Sequence, residues 1–465
     1  MASPHPSKRK VALHPGPSVQ ELLDRERNPI PPALREEHFH DPGPDHLDPA
    51  RYFDRAFFER EMQQMWPHVW QMACREEEIP EVGDHILYEI GPWSFIVMRS
   101  AADEIRAFYN TCLHRGRQLR TGDGHAQMLR CPFHGFTWKL DGSLAEIPCR
   151  WDFPDLSDEE MHLPEARIGT WGGFVFLNMD EQAPPLEEYL GPIPQHFAAW
   201  DFENRFKAVH VGQVIPVNWK AAVEAFMESF HVKATHPQIL PSTADINTQY
   251  DVPEDPHWNR MITAFGIPSP YLDDDYPEQK IVANFAGAGV NAALPAGTPA
   301  RRFLADHARE TFRGMSGRDY SGATDAEMLD AIQYFIFPNF FPWGGYSQNI
   351  VYRFRPAEND PEKTFMEVML LLPCPLEGPR PKPAALHLLA PEQCWSEASE
   401  LGPLGPVFKQ DMHNLPRVQK GLKSMRRSQV VLARYQESRI RQLHSTLDRY
   451  LGHSLERKDA KHAQR

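Results

Sequence analysis

Two short segments that each combine a cysteine with a histidine constrain this chain more than any other feature. The first, "CLHRG", holds Cys112 and His114, and the second, "CPFHG", holds Cys131 and His134. Written as one pattern, the spacing is C-x-H-x16-C-x-x-H. A thiol and an imidazole this close together on each of two segments indicate a shared metal centre. The other four cysteines are scattered along the chain, so a disulfide framework is not expected.

Two kinds of metal centre accept two thiolates and two imidazoles, namely tetrahedral zinc and a Rieske [2Fe-2S] cluster. In the cluster one iron takes the thiolates and the other takes the imidazoles, so each segment must supply one ligand to each iron. Two segments that each carry a Cys and then a His fit that division, whereas zinc fingers more often separate a Cys pair from a His pair. Gly116 and Gly135 allow tight turns beside the ligands, and Pro132 stiffens the second segment. The pattern therefore favours the iron–sulfur cluster and leaves zinc as the alternative.

Length and charge limit the classes of protein to which the chain can belong. A chain of 465 residues suggests two domains, and its formal charge of −14 disfavours nucleic acid and anionic membranes as partners. No apolar run reaches the roughly 18 residues that a membrane span needs. The basic N-terminus lacks a following apolar stretch, which does not match a secretory signal, so we expect a cytoplasmic protein.

Local patterns divide the chain into three predicted parts. Residues 1–45 are predicted to be a mobile N-terminal tail and arm. Residues 46–185 are predicted to begin with a helix and to continue, from about residue 67, as short β-rich runs that form an all-β domain. Residues 186–465 mix helical and strand patterns and are predicted to form a larger domain. The fold class is therefore α+β.

Within the larger domain, helices are predicted around 218–236 and over 427–451, where apolar residues recur at helical intervals. The segments "QNIVYRFRP" and "KTFMEVMLLLPC" are predicted to be adjacent strands. The uncharged run from Ala286 to Ala300 suits a surface loop, with a flap over a pocket as the alternative. The aromatic run from Tyr334 to Tyr346 suits a core strand or the wall of an apolar pocket.

A second candidate metal site lies in "NWKAAVEAFMESFHVKATHPQ", where His231 and His236 are five residues apart. On an ideal helix such side chains point about 140° apart, so both reach one metal only if the helix widens or ends there. Pro237 favours an ending. Taken alone, the two histidines are equally compatible with a chance pair near a helix end.

Taken together, these segments resemble the Rieske non-haem iron oxygenases, specifically the alpha subunits that hydroxylate aromatic rings. "CLHRG" with "CPFHGFTWKLDG" is similar to the Rieske signature, and "NWK" followed by His-x-x-x-x-His is similar to the catalytic motif. The resemblance runs from about residue 50 to residue 450. It implies that a mononuclear Fe(II) is bound by His231 and His236. It also implies a [2Fe-2S] cluster held by Cys112, His114, Cys131 and His134.

The same resemblance supplies a third iron ligand and an electron-transfer residue. The family's carboxylate ligand precedes a Gln-x-Gly-Leu segment, which "KQDMHNLPRVQKGLKS" matches, so Asp411 is the expected ligand. Glu228 stands where the family usually has an Asp that bridges a cluster histidine and an iron histidine. A glutamate keeps the charge and both acceptor oxygens, so we expect the same role. Glu224 receives no role, and Ala225, Phe226 and Met227 are compatible with pocket or core.

The resemblance also implies an architecture and partners. The catalytic domain would have the helix-grip fold (START/Bet v 1-like), an antiparallel sheet curved around a long C-terminal helix. Electrons from NAD(P)H would arrive through a separate reductase, possibly with a ferredoxin, and O2 would react with a small hydrophobic substrate. A homotrimer is implied, in which one subunit's cluster serves its neighbour's iron, with a small beta subunit in some members. No G-x-G-x-x-G follows a predicted strand, so a nicotinamide site in this chain is not expected.

The expected function is that of a terminal oxygenase component that mono- or dihydroxylates an aromatic or other bulky hydrophobic substrate. One alternative is a Rieske monooxygenase that acts as an N- or O-demethylase. A second alternative, from another class, is a zinc-stabilised ligand-binding protein without catalysis. A third is a pure electron carrier with a cluster and no mononuclear iron.

Overall fold

The computed structural model describes residues 16–255, 257–273, 275–285 and 293–452. Its strands form a seven-stranded sheet in the first half of the chain and an eight-stranded sheet in the second. Helices pack mainly against the second sheet. This arrangement confirms the predicted α+β class, and residues 46–185 and 186–465 remain our proposed domain limits.

The seven-stranded sheet carries the segment that the sequence predicted to be all β. Its neighbouring strands are, in spatial order, Gln71–Arg75, Phe174–Asn178, Glu165–Trp171, Glu104–Tyr109, Trp93–Ala101, Asp84–Ile90 and Gly124–His125. A separate three-stranded sheet joins Leu129–Arg130, Thr137–Trp138 and Leu144–Glu146. Both cysteine–histidine segments lie in loops of this region, and the second one joins two strands of the small sheet.

The eight-stranded sheet forms the base of the larger domain. Its spatial order is Gln249–Asp251, Trp258–Thr263, Ala331–Ile336, Phe340–Gly344, Ile350–Pro356, Thr364–Pro373, Arg205–Ile215 and His387–Leu389. All neighbours are antiparallel except the last pair. The predicted adjacency of "QNIVYRFRP" and "KTFMEVMLLLPC" is confirmed, since Ile350 aligns with Leu370 and Pro356 with Thr364.

The α-helices are Val19–Leu23, Pro32–Arg35, Arg55–Gln64, Leu186–Leu190, Ile193–Phe197, Trp219–Glu224, Val232–Thr235, Glu278–Asn284, Ala300–Ser316, Asp325–Leu329, Leu404–Ser424 and Ser438–Tyr450. The last two of these helices share one core with the sheet. Phe408 and Leu415 from the first, and Leu443 and Leu447 from the second, are buried in it. The burial of such side chains is the main source of stability for a helix laid on a sheet. Within the described ranges, no helix has the length and apolar character needed to cross a bilayer.

Two predicted helices differ from the structure. The helix predicted over 427–451 begins only at Ser438, because Val430 and Val431 pair with Leu47 and His46 as a short two-stranded sheet. The helix predicted around 218–236 is interrupted between Glu224 and Val232. In the first case a tertiary contact overrides an apolar periodicity that by itself favours a helix.

Part of the segment predicted to be an N-terminal tail and arm, residues 19–35, packs against the rest of the protein. Two short helices in this stretch bury Val19, Leu22, Leu23 and Leu34 against the rest of the protein. Residues 1–15 lie outside the described residues, as do residues 286–292 of the predicted loop or flap.

The aromatic run from Tyr334 to Tyr346 is mostly core. Tyr334, Phe335, Phe337 and Phe341 are buried. Trp343 alone among the described aromatic residues of this run lines the mainly apolar cavity that is described below. Both interpretations of the run therefore apply, each to different residues.

Candidate metal centres and active site

The two cysteine–histidine loops have the same backbone construction. In each, the cysteine N–H donates to the carbonyl five residues later, at 2.8 Å. The glycine four residues after the cysteine then donates back to the cysteine carbonyl, from Gly116 at 2.9 Å and from Gly135 at 3.0 Å. Both glycines have positive φ angles, 76° and 83°, which residues with a Cβ atom rarely adopt. The turns predicted at these glycines are present in both loops.

This construction directs polar groups at two buried thiols. Cys112 and Cys131 are each less than 4% exposed. Burial acts to raise the pKa of both thiols. For Cys112 this effect prevails, and the pKa of its thiol is raised. For Cys131, backbone N–H groups of Phe133 and His134 help to outweigh burial and lower the pKa. Donors aimed at sulfur stabilise a thiolate, which is the form that binds metal.

The two histidines of these loops face each other. The ring centroids of His114 and His134 are 4.8 Å apart, and His114 stacks on Phe136 at 4.6 Å. The Nδ1 atom of His114 is buried and has no hydrogen-bond partner in the described structure. A buried orphan nitrogen is costly unless it binds something, so it fits a metal ligand. The four residues are thus brought together as predicted.

The compact arrangement that one metal ion requires is found at a different place in the described chain. A zinc ion holds its four ligands at about 2.0–2.3 Å. The group of His, Cys, Asp and Glu side chains that could hold one ion among the described residues does not include the four loop residues. The loops therefore fit a two-iron cluster better than a single zinc ion.

The compact group consists of His231, His236 and Asp411, whose ligand atoms all lie within 4.8 Å of one another. Asp411 Oδ1 lies 3.0 Å from His236 Nε2 and 3.9 Å from His231 Nε2. Non-haem iron sites use two imidazoles and one carboxylate that all bind one face of the metal. The opposite face stays open for other ligands. No cation is part of the structure, and the donor set is the one that such an iron requires.

The local fold explains how two histidines five residues apart converge. The helix Val232–Thr235 begins directly after His231, and Glu228 Oε2 accepts from the His231 N–H at 2.9 Å. His236 then leaves helical geometry, with φ −124° and ψ 51°, and Pro237 follows. The predicted helix ending is therefore present. The ring centroids of His231 and His236 lie 5.1 Å apart as a result.

Each histidine presents Nε2 to the site because its other nitrogen is engaged. His231 Nδ1 lies 2.6 Å from Glu228 Oε1, and His236 Nδ1 lies 2.8 Å from Gln410 Oε1. Since both partner oxygens only accept, Nδ1 carries a proton, and Nε2 is the nitrogen that would bind a metal in the neutral ring. Gln410 was missed by the sequence analysis, although its position beside Asp411 in "KQDM" could have suggested it.

Carboxylates dominate the electrostatics of this site. Burial acts to lower the pKa of His231, but Glu228 and Asp411 outweigh it and raise that pKa to about 9. The same two negative groups attract a metal cation. Within the described chain, the hydrogen bonds of Glu228 all go to His231. Glu228 is also largely buried, at 9% exposure, so its carboxylate is held in one orientation.

Two other motif residues hold the segments of the site together. Asn218 of "NWK" donates its backbone N–H to Gln419 Oε1 at 3.0 Å, which joins that motif to the helix bearing Asp411. Lys220 forms a fully buried ion pair with Glu61 at 2.6 Å. Glu224, which had no predicted role, accepts from Tyr52 Oη at 2.9 Å and lies 2.7 Å from His444 Nε2. These contacts fasten the site to its surroundings and do not reach the three candidate ligands.

A cavity of about 270 Å³ adjoins the three candidate ligands. Alternate residues of neighbouring strands form its floor, including Met261, Ala331 and Ile350. The described residues that line it include no Lys or Arg, and its aromatic members are Phe226, Phe265, Trp343, Tyr352 and Phe408. Ala225 and Phe226 belong to the wall, whereas Met227 is fully buried in the core. The cavity can hold a small, mainly apolar molecule beside the metal site.

Family models match both regions of the chain. The model described as the Rieske [2Fe-2S] domain matches residues 69–156, which contain all four loop residues. The model described as the ring hydroxylating alpha subunit (catalytic domain) matches residues 195–453, more than half of the chain. That second region contains both histidines, Asp411 and Glu228.

Curated relatives include enzymes of two kinds. The glycine betaine monooxygenase oxygenase subunit of Pseudomonas aeruginosa is 31% identical over 190 residues, 41% of this chain and 44% of that protein. The biphenyl 2,3-dioxygenase alpha subunit of Rhodococcus jostii is 32% identical over 200 residues, 41% of this chain and 42% of that protein. The matched segments thus span less than half of either relative.

Solved structures show the same fold over most of the chain. A quaternary ammonium Rieske monooxygenase in its apo form matches with a TM-score of 0.61 and 18% identity, covering 89% of this chain and 99% of that one. Naphthalene 1,2-dioxygenase from Rhodococcus sp. matches with a TM-score of 0.58 and 19% identity, covering 87% and 94%. At such identities the likeness concerns the fold.

Proposed function

Because the chain belongs to the ring-hydroxylating alpha-subunit family of Rieske oxygenases, we propose that it is the terminal component of an oxygenase. Family membership implies a Rieske [2Fe-2S] cluster and a mononuclear iron, with electrons from a reductase. When bound, the iron supplies O2 activation and the cluster supplies electrons. The proposed reaction is mono- or dihydroxylation of a small hydrophobic substrate in the adjoining cavity.

The observation that carries this proposal is the convergence of His231, His236 and Asp411 beside an apolar cavity. We assign the mononuclear iron to these three residues and the cluster to Cys112, His114, Cys131 and His134. Glu228 and Gln410 hold the imidazole protons on Nδ1, so that both Nε2 atoms face the metal. The apolar wall keeps bulk water away from the open side of the site.

Glu228 is the proposed bridge for electrons between the two centres. It contacts His231 directly, and no hydrogen bond in the described chain joins it to its own chain's cluster loops. A cluster from a second copy would complete the path, which suits the homotrimer implied by the family. The exposed surfaces agree with such a contact, because Phe133 on the second loop is 59% exposed and Phe230 beside His231 is 48% exposed.

Charge supports the same arrangement. Arg115 and Arg130 are exposed beside the cluster loops, and Arg115 stacks on Phe133 with its guanidinium carbon 4.7 Å from the ring centroid. Three carboxylates lie near the iron site, namely Glu224, Glu228 and Glu437. Burial, together with the negative charges of Glu228 and Glu224, raises the pKa of Glu437 to about 7. The basic side chains of one copy would thus approach the partly buried carboxylates of the next.

The experiment that tests the proposed function is metal and sulfide analysis of purified protein. We expect about three irons and about two acid-labile sulfides per chain, with a red-brown colour. Substrate-dependent O2 uptake with a surrogate reductase should accompany this content. Stoichiometric zinc in a colourless protein would establish the ligand-binding alternative. Two irons with an intact cluster, and unchanged activity in His231→Ala, would establish the electron carrier.

Demethylation of a quaternary ammonium compound is a second candidate function. The named monooxygenase relatives favour it, and so do the aromatic faces of Trp343, Tyr352 and Phe408 in the cavity, since such faces attract cations. Substrate-dependent release of formaldehyde would distinguish demethylation from ring hydroxylation.

A further inference from the structure

A buried arginine lies behind one wall of the cavity. Arg439 is fully buried, and its Nε donates to Asn259 Oδ1 at 2.6 Å. Its Nη1 donates to the Met227 carbonyl at 3.1 Å and to Gln333 Oε1 at 2.8 Å. All three of these acceptors, within the described ranges, are neutral amide or carbonyl oxygens. Burial lowers its pKa to about 9, so the side chain stays cationic at neutral pH.

This arginine fixes the orientation of the Gln333 amide. A guanidinium has only donors, so the oxygen of the amide must face Arg439 and the nitrogen must face away. Gln333 is 1% exposed and lines the cavity. Among the described residues, its Nε2 donates no hydrogen bond, while Oε1 is engaged. The amide therefore offers two unused N–H donors in the wall of a mainly apolar cavity.

We propose that the Gln333 amide is the polar subsite of this cavity and that the substrate is a neutral, mainly apolar molecule carrying an acceptor oxygen. The inference rests on the proposed oxygenase function and narrows its substrate class. An acceptor oxygen on the substrate would satisfy the amide N–H group, which is costly to leave unpaired in a dry site. A quaternary ammonium group carries no acceptor oxygen that could receive these N–H groups.

The test uses two isosteric probes, acetophenone and α-methylstyrene, which differ in that a carbonyl oxygen replaces a methylene group. Dissociation constants are measured by calorimetry without O2 and without reductant, so that no turnover occurs. The ratio of the two constants in the wild type is divided by the same ratio in Gln333→Leu. This double comparison removes the general difference in hydrophobicity between the probes. One net hydrogen bond predicts a change of about fivefold to tenfold in favour of the ketone in the wild type.

Two further variants make the result specific. Gln333→Glu keeps the shape and pairs with Arg439, yet it replaces the donors with acceptors, so the preference for the ketone should fall at least as far as in Gln333→Leu. Gln348→Leu is the matched control, because Gln348 lines the same cavity but already donates its Nε2 to the Leu329 carbonyl at 3.2 Å. The preference should survive in that variant.

An equal preference in the wild type and both Gln333 variants would overturn the inference. Failure of both aromatic probes to bind would overturn it as well, as would tighter binding of glycine betaine than of acetophenone. None of these results bears on the cofactors. Missing iron or missing O2 uptake would instead remove the proposed function, so the two failures are distinguishable.

Discussion

The cluster loops and the iron site use similar ligands but assemble them by different means. In the loops, each cysteine lies two or three residues from its histidine, and repeated backbone turns set the geometry. At the iron site, the ring of His236 is oriented by Gln410, a residue 174 positions away on another helix. The loops are thus a local construction, whereas the iron site depends on the packing of the whole larger domain. The difference predicts that each centre can be removed without destroying the other.

Cys131→Ala should remove the cluster and abolish electron delivery. The thiolate is a cluster ligand in our assignment, and alanine cannot replace it. The visible spectrum should disappear, while about one iron per chain remains at the mononuclear site. Cys149→Ala is the control, because Cys149 is an exposed cysteine outside both loops and should leave spectrum and activity unchanged. Loss of both centres in Cys131→Ala would show that the two regions are not independent.

Asp411→Ala should give the opposite result. Removing the carboxylate leaves two imidazoles, so the mononuclear iron should be lost and turnover should fall by at least about 1000-fold. The cluster should keep its colour and remain reducible. His413→Ala, an exposed position on the same helix, should behave like the wild type. Iron content and O2 uptake are the measurements, and retained iron in Asp411→Ala would refute the ligand assignment.

Glu228→Gln tests the connection between the two regions. The amide keeps the size of the side chain but lacks the charge, so both centres should stay occupied while electron passage slows by about 100-fold. Rapid-mixing reoxidation of the reduced cluster measures this rate. Reoxidation at the wild-type speed would refute the bridging role. Glu59→Gln, an exposed carboxylate on the leading helix, is the control and should have no effect.

Gln410→Leu should have the smallest effect of this set. Leucine cannot accept from His236 Nδ1, so the ring loses the partner that fixes its orientation and tautomer. Loss of such a partner typically weakens metal affinity about 10-fold to 100-fold. The iron retained after dialysis against increasing chelator concentrations measures this affinity. Lys409→Ala is the control, because Lys409 is exposed on the same helix. Unchanged affinity would mean that packing alone orients His236.

The sequence predicted best where neighbouring residues set the geometry. The cluster loops, their glycine turns and the strands "QNIVYRFRP" and "KTFMEVMLLLPC" were all predicted, since period and spacing are local properties. The helix over 427–451 was predicted too long because Val430 and Val431 have a strand partner elsewhere in the chain, which periodicity does not reveal. Asp411 was placed through family resemblance, and its position 3.0 Å from His236 is a fact of the fold.

What the sequence alone determined is the chemistry available, namely two cysteine–histidine loops, a histidine pair ahead of a proline, and a distant aspartate. Only the tertiary structure decided how these groups face one another and what lies between them. The contact of Arg439 with Gln333 spans 106 residues, and nothing in the spacing of either indicates it. The physical reason is that side-chain orientation in a buried site depends on which donors and acceptors packing brings within hydrogen-bond distance. Packing is a property of the whole chain, whereas a motif is a property of a few neighbouring residues.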